Sequence, residues 1–327
     1  MKVLIVHHHR FELWHAPAWL RERLQSAFPE IKFVQFENFD RIFEEIGDTD
    51  VFIGFSLRPE QFTAAKKLRW IHSPAAAVHQ LMFPELVRSK VVVTNTTTVH
   101  GPVVAEHAIA VLLALAKRLP RAMHYQREHK WAQALLWQEH PRPREVAGAT
   151  VLLLGMGGIG SEFAVRAKAL GMKVLVVREN PSKGSGIADA VFPLAELDQV
   201  LPGADYVLLC APVTLATQAI INADRLAKMK KDAYLINVSR GPLIDEAALI
   251  AALLENRIAG AALDVFAEEP LPPESPFWDL ENVLITPHTA AVTERLWDRH
   301  YDLIVENLKR FMNGEKLLNE VDKKRGY

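Results

Sequence analysis

The sequence contains 327 residues, of which 50% are hydrophobic and 24% are charged, and its formal net charge is −1. This composition is typical of a globular protein of about two domains, and it argues against a nucleic-acid-binding protein, which normally has a basic surface. The single cysteine excludes an intrachain disulfide and a cysteine-rich metal site. The first apolar run, VLIV, is too short for a signal peptide or a membrane helix, so we expect a cytoplasmic protein that does not bind membranes.

The first hundred residues alternate short apolar segments with amphipathic ones. The apolar segments, which we predict to be strands, are KVLIV, IKFVQF, DVFIGF, RWIHS and KVVVTN. Between them, stretches such as APAWLRERLQSAF have the apolar spacing of helices. Such alternation predicts a small parallel sheet with helices on both faces. A long helix is then predicted from about Val103, with a kink or break at Pro120.

A second alternation of strands and helices begins at Thr150. Its predicted strands, TVLLLG, KVLVV, YVLLC, AYLINV, AGAALDV and VLITPH, are apolar throughout, as central parallel strands are. The last amphipathic helix ends near Gly314. We therefore predict an α/β protein of two doubly wound parallel-sheet domains, in which a Rossmann-type dinucleotide-binding domain is inserted into a flavodoxin-like substrate domain. The predicted boundaries are 1–99 and 290–327 for the substrate domain and 100–289 for the dinucleotide-binding domain.

The turn GMGGIG follows a predicted strand and precedes a predicted helix. Gly155, Gly157 and Gly160 fit the spacing G-x-G-x-x-G. In that pattern the first glycine permits the tight turn, the second lets a pyrophosphate approach the backbone, and the third lets the helix pack closely on the strand. The helix N-terminus offers N–H groups and a positive dipole end to the phosphates. Together with the flanking elements, the turn predicts dinucleotide binding rather than a purely structural turn.

The next strand ends in LVVREN, where a chain that binds NAD usually has an acidic residue for the adenosine ribose. Arg178 stands there instead, and a guanidinium can pair with the 2′-phosphate of NADP through two hydrogen bonds. Asn180, Ser182 and Lys183 follow as further donors. We therefore predict a preference for NADP. The alternative is a surface arginine with NAD as the cofactor, and the acidic Glu179 keeps it open.

Three later motifs place reactive side chains directly after buried strands. Arg240 lies in NVSRGPLIDEAAL, Glu268 and Glu269 in DVFAEEPLP, and His288 in ITPHTA. Because parallel strands end at one edge of the sheet, where ligands bind, topology brings an arginine, a glutamate and a histidine together. The arginine can pair with a carboxylate and polarise a carbonyl, while the histidine exchanges a proton near neutral pH. This combination suits hydride transfer to a 2-oxo acid.

These motifs resemble the D-2-hydroxyacid dehydrogenase family, to which glyoxylate and hydroxypyruvate reductases and phosphoglycerate dehydrogenase belong. The resemblance runs from HGPVVAEHAIAVLLAL to NVLITPHTA, over about residues 95–292. It implies that Arg240 binds the substrate and polarises its carbonyl, that Glu269 pairs with the histidine, and that His288 is the acid/base. It further implies that Asp264 holds the nicotinamide carboxamide. Family members form dimers through the segment that matches 101–145, so a homodimer is expected.

Motifs and resemblance together assign the remaining site residues. The predicted cofactor contacts are Gly155, Gly157, Gly158, Ile159, Gly160, Arg178, Ser182, Lys183, Cys210, Ala211, Pro212, Thr217, Val238, Ser239 and Asp264. The predicted substrate contacts are Arg58 and the three alanines Ala75, Ala76 and Ala77, which stand in SPAAAVHQL where the family has a glycine-rich turn. We expect this loop to hold the substrate carboxylate with backbone N–H groups, although alanine resists positive φ.

Three adjacent histidines, His7, His8 and His9, follow the first strand. They do not share one face of a strand or helix, so no metal site is predicted, but one of them is a further candidate to meet the substrate. His107, in the long helix, is expected to pack or cap there. The alternatives to a reductase of small 2-oxo acids are a dinucleotide-sensing corepressor-like protein and an NAD-dependent formate- or phosphonate-type dehydrogenase.

Overall fold

The computed structural model describes residues 1–7, 9, 11–183 and 186–326, and the side chain of Lys183 lies outside the described part. The chain divides into two α/β units. The first consists of Met1–His100 and Val292–Tyr327, and the second of Gly101–Ala291. The second unit is thus an insertion within the first. The assignment of substrate binding to the first unit stays a prediction.

The described residues contain twelve strands and twelve α-helices. The strands are β1 (Lys2–Val6), β2 (Lys32–Phe36), β3 (Val51–Ile53), β4 (Trp70–His72), β5 (Val92–Thr94), β6 (Thr150–Leu154), β7 (Lys173–Arg178), β8 (Ala190–Pro193), β9 (Tyr206–Leu209), β10 (Tyr234–Asn237), β11 (Gly260–Leu263) and β12 (Val283–Ile285). The helices are α1 (Ala18–Ala27), α2 (Ile42–Glu45), α3 (Pro59–Ala64), α4 (Pro84–Arg88), α5 (Thr97–Ala116), α6 (Leu119–Arg127), α7 (Gln133–Gln138), α8 (Gly158–Ala169), α9 (Leu197–Val200), α10 (Ala223–Lys228), α11 (Glu246–Leu254) and α12 (Leu296–Asn313).

The first unit has a five-stranded sheet in the order β2-β1-β3-β4-β5, and all of its pairs are parallel. This is the flavodoxin-like order. The C-terminal helix α12 belongs to this unit, where its buried Trp297, Ile304 and Leu308 share one hydrophobic cluster with β1 and α1. The helix ends at Gly314, which has φ of 69°, a left-handed conformation that glycine adopts without strain. The five strands and this helix confirm the corresponding predictions.

The second unit has a seven-stranded parallel sheet in the order β12-β11-β10-β9-β6-β7-β8. Its middle strands form the Rossmann pattern, in which the order reverses between β6 and β9. Two hydrophobic clusters cover the two faces, so β9 is fully buried and β6 is buried from Val151 to Leu154. The edge strand β8 was not predicted, because its four residues are only half-buried and form a short apolar run.

The long helix differs from the prediction at its beginning. It starts at Thr97, six residues before Val103, and it includes Pro102. The predicted break is confirmed: α5 ends at Ala116, and Arg118, with φ of 56°, precedes α6. Helix α5 is long and apolar enough to cross a membrane, but 56% of this stretch is buried within the protein, as in the core helix of a soluble fold.

Candidate active site

Most of the predicted site residues lie at the carboxyl ends of the parallel strands in the second unit. The glycine turn follows β6, Arg178 ends β7, and Cys210 follows β9. Val238 to Arg240 follow β10, Asp264 follows β11, and His288 comes three residues after β12. Since all seven strands run in the same direction, these positions share one edge of the sheet, which is where ligands bind in open α/β folds.

The glycine turn has the geometry that its sequence predicts. Gly155 has φ of 104°, and a Cβ built on it would lie 2.9 Å from the backbone of Ala211. A Cβ on Gly160 would lie 2.6 Å from the Gly155 carbonyl oxygen, so α8 can pack on β6 only through glycine. A Cβ on Gly157 meets no atom within 4 Å. Gly157 is the N-cap of α8, and the open space before this helix N-terminus fits a pyrophosphate.

The remaining contacts of this region hold the loops in place. Gly158 and Ile159 are the first two residues of α8. The Thr217 hydroxyl donates to the carbonyl oxygen of Pro212 at 2.7 Å and accepts from the backbone N–H of Thr214 at 2.8 Å. Thr217 therefore stabilises the loop after β9.

At the end of β7, Arg178 is half-buried, and Glu179 and Asn180 after it are exposed. The backbone N–H and the hydroxyl of Ser182 both donate to Asn180 Oδ1, at 3.1 and 2.6 Å. Ser182, predicted to donate to a phosphate, thus donates within its own loop in this structure. The predicted phosphate contact of Lys183 concerns a side chain outside the described residues. The role of Arg178 stays a prediction.

Cys210 is buried and ties the end of β9 to the glycine turn. Its thiol donates to the Gly155 carbonyl oxygen at 3.1 Å, and burial raises its pKa to about 12. Nearby, the Ser239 hydroxyl donates to the carbonyl oxygen of Ala211 at 2.6 Å, and Val238 is buried. These residues, all predicted cofactor contacts, fix the loops after β9 and β10, and Cys210 is a structural thiol rather than a reactive one.

Arg240 is held by a buried asparagine at the end of β10. Asn237 Nδ2 donates to the Arg240 carbonyl oxygen at 2.9 Å, and Asn237 Oδ1 accepts from the backbone N–H of Ser239 at 3.1 Å. The guanidinium Nη1 donates to the Ser239 carbonyl oxygen. Burial lowers the pKa of Arg240, and the charge of Glu269 opposes this effect. Arg240 is therefore a partly desolvated cation close to a carboxylate.

His288 and Glu269 form an ion pair, with Nδ1 and Oε2 separated by 2.6 Å. Glu269 Oε1 also accepts from the backbone N–H of Phe266 at 2.9 Å. Burial raises the pKa of Glu269, but the hydrogen bonds from His288 and Phe266 outweigh this effect, so the pKa is lowered overall. About a third of each side chain of the pair is exposed, 35% and 33%, so a small molecule can reach the imidazole. The carboxylate contacts Nδ1, and Nε2 is the ring nitrogen that we expect to exchange a proton with a substrate.

Asp264 is buried and accepts three hydrogen bonds. The donors are the Thr286 hydroxyl at 2.6 Å and the backbone N–H groups of Thr289 and Ala290 at 2.9 and 3.0 Å. The same Thr286 hydroxyl oxygen lies 3.1 Å from Nε2 of His107 on α5. Packing or capping was expected of His107, and the structure instead brings it into hydrogen-bonding contact at the sheet edge.

In the first unit, the alanine loop lies after β4. The Ala75 carbonyl oxygen accepts from the backbone N–H of Thr96 at 3.3 Å, and that of Ala76 accepts from Asn95 Nδ2 at 3.0 Å. Ala75, Ala76 and Ala77 do not belong to the described residues with positive φ. The loop is therefore anchored through its carbonyl groups in a conformation that alanine adopts without strain. Its substrate contact stays a prediction.

The other substrate candidates of the first unit differ in exposure. Arg58 is exposed, and its backbone N–H donates to Gln61 Oε1 at 2.9 Å at the start of α3. His7 is 2% exposed, and its ring packs on Phe55 at a centroid distance of 3.8 Å. His8 lies outside the described residues. In the part of the chain that the structure describes, no three His, Cys, Asp or Glu side chains are grouped to hold a metal ion.

Residues 109–290 match the family described as "D-isomer specific 2-hydroxyacid dehydrogenase, NAD binding domain". The chain is 37% identical to a glyoxylate reductase of Korarchaeum cryptofilum over 284 residues, which cover 84% of this chain and 83% of that protein. The chain belongs to the D-isomer specific 2-hydroxyacid dehydrogenase family. The family prediction is confirmed, and the protein is an oxidoreductase.

Other members of the D-isomer specific 2-hydroxyacid dehydrogenase family agree in sequence and fold. A D-3-phosphoglycerate dehydrogenase of Synechocystis is 40% identical over 71% of this chain, although the match covers only 40% of that longer protein. A member from Xanthobacter autotrophicus, solved with NADPH and MES, has a TM-score of 0.81 at 30% identity, with 99% of each chain covered. An NADPH-dependent glyoxylate/hydroxypyruvate reductase from Sinorhizobium meliloti, solved with NADP and sulfate, has a TM-score of 0.82 at 27% identity over both full chains.

The second unit of this family member fits a nicotinamide dinucleotide. The open space at Gly157 would receive the pyrophosphate, and Asp264 lies at the end of β11 on the same sheet edge as His288. Sequence patterns identify the glycine turn, but they did not single out three supporting residues, Asn237, Thr286 and His107. Each lies within a motif quoted above, and each acts through hydrogen bonds that the motifs do not reveal.

Proposed function

We propose that this protein reduces small 2-oxo acids to D-2-hydroxy acids with NADPH, and that its substrates are of the glyoxylate or hydroxypyruvate type. The observation that carries the proposal is the His288–Glu269 pair, which has a separation of 2.6 Å and is accessible at the sheet edge that also carries the glycine turn and Arg240. A histidine paired with a carboxylate can give a proton to the oxygen of the carbonyl that is reduced.

In this mechanism each residue acts on a different part of the substrate. The nicotinamide, when bound, supplies the hydride. The Arg240 guanidinium pairs with the substrate carboxylate and polarises the adjacent carbonyl, and its partial burial strengthens both interactions. His288 donates the proton from Nε2 to the carbonyl oxygen as it becomes a hydroxyl. Glu269 keeps Nδ1 protonated, so the ring has a fixed orientation and the imidazolium is stabilised.

Arg178 supports the choice of NADP over NAD. It ends β7 on the same edge as the glycine turn, at the place of the ribose-binding acid in NAD-binding chains. The structural relatives from Xanthobacter autotrophicus and Sinorhizobium meliloti carry NADPH or NADP. An arginine offers a planar pair of donors to the 2′-phosphate, whereas the free ribose hydroxyls of NAD gain less from a cation.

The substrate class rests on relatives and on the first unit. Several relatives, among them those of Thermococcus kodakarensis and Pyrococcus furiosus, are glyoxylate reductases. Within the first unit, we assign binding of the substrate carboxylate to the backbone N–H groups of Ala75, Ala76 and Ala77, of which that of Ala75 also donates to Ser73 Oγ at 3.3 Å. Arg58 is the candidate for a second acidic group on the substrate.

The first test measures oxidation of NADPH and of NADH with glyoxylate, hydroxypyruvate, pyruvate and longer 2-oxo acids. We expect kcat/KM with NADPH to exceed that with NADH, and Arg178→Asp to reverse this preference. Arg257→Asp is the matched control, because Arg257 is exposed and precedes β11, at the opposite edge of the same sheet. An unchanged preference in Arg178→Asp would remove Arg178 from the cofactor site. If neither cofactor is oxidised with any acid, the corepressor-like and the formate- or phosphonate-type alternatives replace the proposed reductase function.

We also propose a cytoplasmic homodimer that forms through residues 101–145. Trp131 is 94% exposed and Trp137 is 59% exposed in the single chain, and exposed aromatic side chains of this size are typical of interfaces. Light scattering after gel filtration should give twice the mass of one chain, and Trp131→Glu should shift the protein toward the monomer. A monomeric wild-type protein would contradict the proposal.

A further inference from the structure

A hydrogen-bonded chain connects the long helix α5 with the two strands that carry the proposed acid/base. Nε2 of His107 lies 3.1 Å from the Thr286 hydroxyl oxygen, and that hydroxyl donates to Asp264 Oδ1 at 2.6 Å. The direct distance between His107 Nε2 and Asp264 Oδ1 is 3.7 Å. The Asp264 side chain is 2% exposed and that of His107 is 19% exposed, so water competes little for these contacts.

The direction of each hydrogen bond follows from the number of protons. A threonine hydroxyl has one proton, and the short contact to Asp264 uses it. The Thr286 oxygen must then accept from His107, so Nε2 of His107 carries the hydrogen. Burial lowers the pKa of His107 in spite of the opposing charge of Asp264. The ring is therefore neutral near pH 7, and its single N–H is the one on Nε2.

The hydrogen bonds from His107 through Thr286 to Asp264 hold the residues next to His288. The His288 backbone N–H donates to the carbonyl oxygens of both Asp264 and Thr286, at 2.9 and 3.0 Å. His288 has φ of 52°, a left-handed conformation that non-glycine residues rarely adopt. Such a conformation persists only where surrounding contacts hold it. Thr286 fastens the start of this turn to the buried carboxylate, and the backbone N–H groups of Thr289 and Ala290 fasten its end.

We propose that His107 is a positioning residue that, through Thr286 and Asp264, holds His288 in the conformation for proton transfer. The inference rests on the proposed function and deepens it. His107 touches neither the substrate nor the reacting atoms in this scheme. It keeps the Thr286 hydroxyl directed at Asp264, because a hydroxyl that donated to His107 instead would leave two acceptor oxygens 2.6 Å apart with no proton between them.

The test compares substitutions that remove or keep the Nε2 donor. His107→Phe keeps the ring but removes the donor, whereas His107→Gln keeps a side-chain N–H at nearly the same reach. Thr286→Val removes the middle of the chain, and the double variant His107→Phe/Thr286→Val completes a cycle. His124→Phe, on helix α6 of the same unit, is the matched control. Circular dichroism and thermal melting establish which variants are folded.

We expect His107→Phe to lower kcat by between about 10-fold and 100-fold, the cost of a small misplacement of a catalytic group, with little change in KM for the acid. His107→Gln should recover most of kcat even if the phenylalanine variant is poorly folded. The double variant should be no slower than the slower single variant, because both break one chain. Unchanged kcat in His107→Phe, equal loss in His107→Gln, or fully multiplicative losses in the double variant would overturn the inference.

A second measurement does not depend on turnover. Nitrogen-15 spectra of the histidine rings should show the Nε2–H form of His107 in the wild-type protein, and Thr286→Val should weaken this preference. A wild-type protein that reduces no 2-oxo acid would contradict the proposed function, and these spectra would then decide the inference. An Nδ1–H form, or the same spectrum in Thr286→Val, would overturn it.

Discussion

Because three histidines are buried in the first unit, we predict that this unit becomes less stable as the pH falls. His7, His72 and His300 are 2%, 0% and 1% exposed. Burial lowers the pKa of His7 and His72 from 6.5 to about 3, and it lowers that of His300 well below its ordinary value. The charges near them do not compensate, since the groups that affect His7 are the other histidines His15, His9 and His72.

The sign follows from proton linkage. Below pH 6.5 these histidines bind protons in the unfolded chain but not in the folded chain. The free energy of unfolding is therefore highest above pH 6.5, and it decreases as the pH falls toward 3. One pKa unit corresponds to about 1.4 kcal/mol, so each of His7 and His72 removes roughly 2 kcal/mol from the free energy of unfolding between about pH 6.5 and pH 5. The pair removes roughly 4 kcal/mol, and His300 acts in the same direction; this is a large part of the ~5–15 kcal/mol that stabilises a typical domain.

Urea unfolding at pH 7.5 and pH 5.0, followed by tryptophan fluorescence, measures this loss. In His7→Phe, the loss of unfolding free energy should be smaller by about half of the joint contribution of His7 and His72. Phenylalanine keeps the packing on Phe55 and Trp297 and does not titrate. The exposed His79→Gln is the control and should leave the difference between the two pH values unchanged. A His7→Phe protein that loses as much stability as the wild type would refute the reasoning for this ring.

Three further predictions concern the second unit. Gly241→Ala should lower the free energy of unfolding by about 3 kcal/mol or prevent folding, because the new Cβ would lie 1.9 Å from the backbone carbonyl carbon of Phe266. The control is Gly203→Ala, whose Cβ meets nothing within 4 Å and which should leave the melting temperature nearly unchanged. The Cys210 thiol, buried and with its pKa raised to about 12, should react with a thiol reagent only after unfolding, and rapid labelling of the folded protein would contradict this. Glu269→Gln should lower kcat by about 100-fold while NADPH binding measured by fluorescence is nearly unchanged, because the imidazole loses its ionic partner; wild-type turnover would argue against the pair.

The sequence predicts most of the fold because the core strands are apolar on both faces. β9 is buried along its whole length and β6 from Val151 to Leu154, so their apolar runs stand out from the helices around them. The apolar run of the edge strand β8 is only four residues long and half-buried, so it does not stand out in the sequence. The start of α5 was also predicted wrongly, because Gly101 and Pro102 usually end helices, whereas here they lie inside the helix.

The sequence predicts which site residues lie at the strand ends, but not the hydrogen bonds that connect them. Parallel topology and the family resemblance place Arg240, Glu269 and His288 on one edge, while their catalytic roles stay predictions. The contact of His107 with Thr286 spans 179 positions of the sequence, and no periodicity or motif reports such a pairing. The left-handed backbone of His288 is likewise a product of tertiary hydrogen bonds rather than of local preference.

Helix α12 gives the two units different histories during synthesis. A ribosome makes residues 1–100 well before the helix that buries Trp297, Ile304 and Leu308 against their sheet. At about 5–20 residues per second, the roughly 200 residues between them take on the order of 10–40 seconds. All seven strands of the second unit are made within that interval. The nascent chain therefore exposes an apolar face of the first sheet until α12 is made, and that face is where a chaperone would bind.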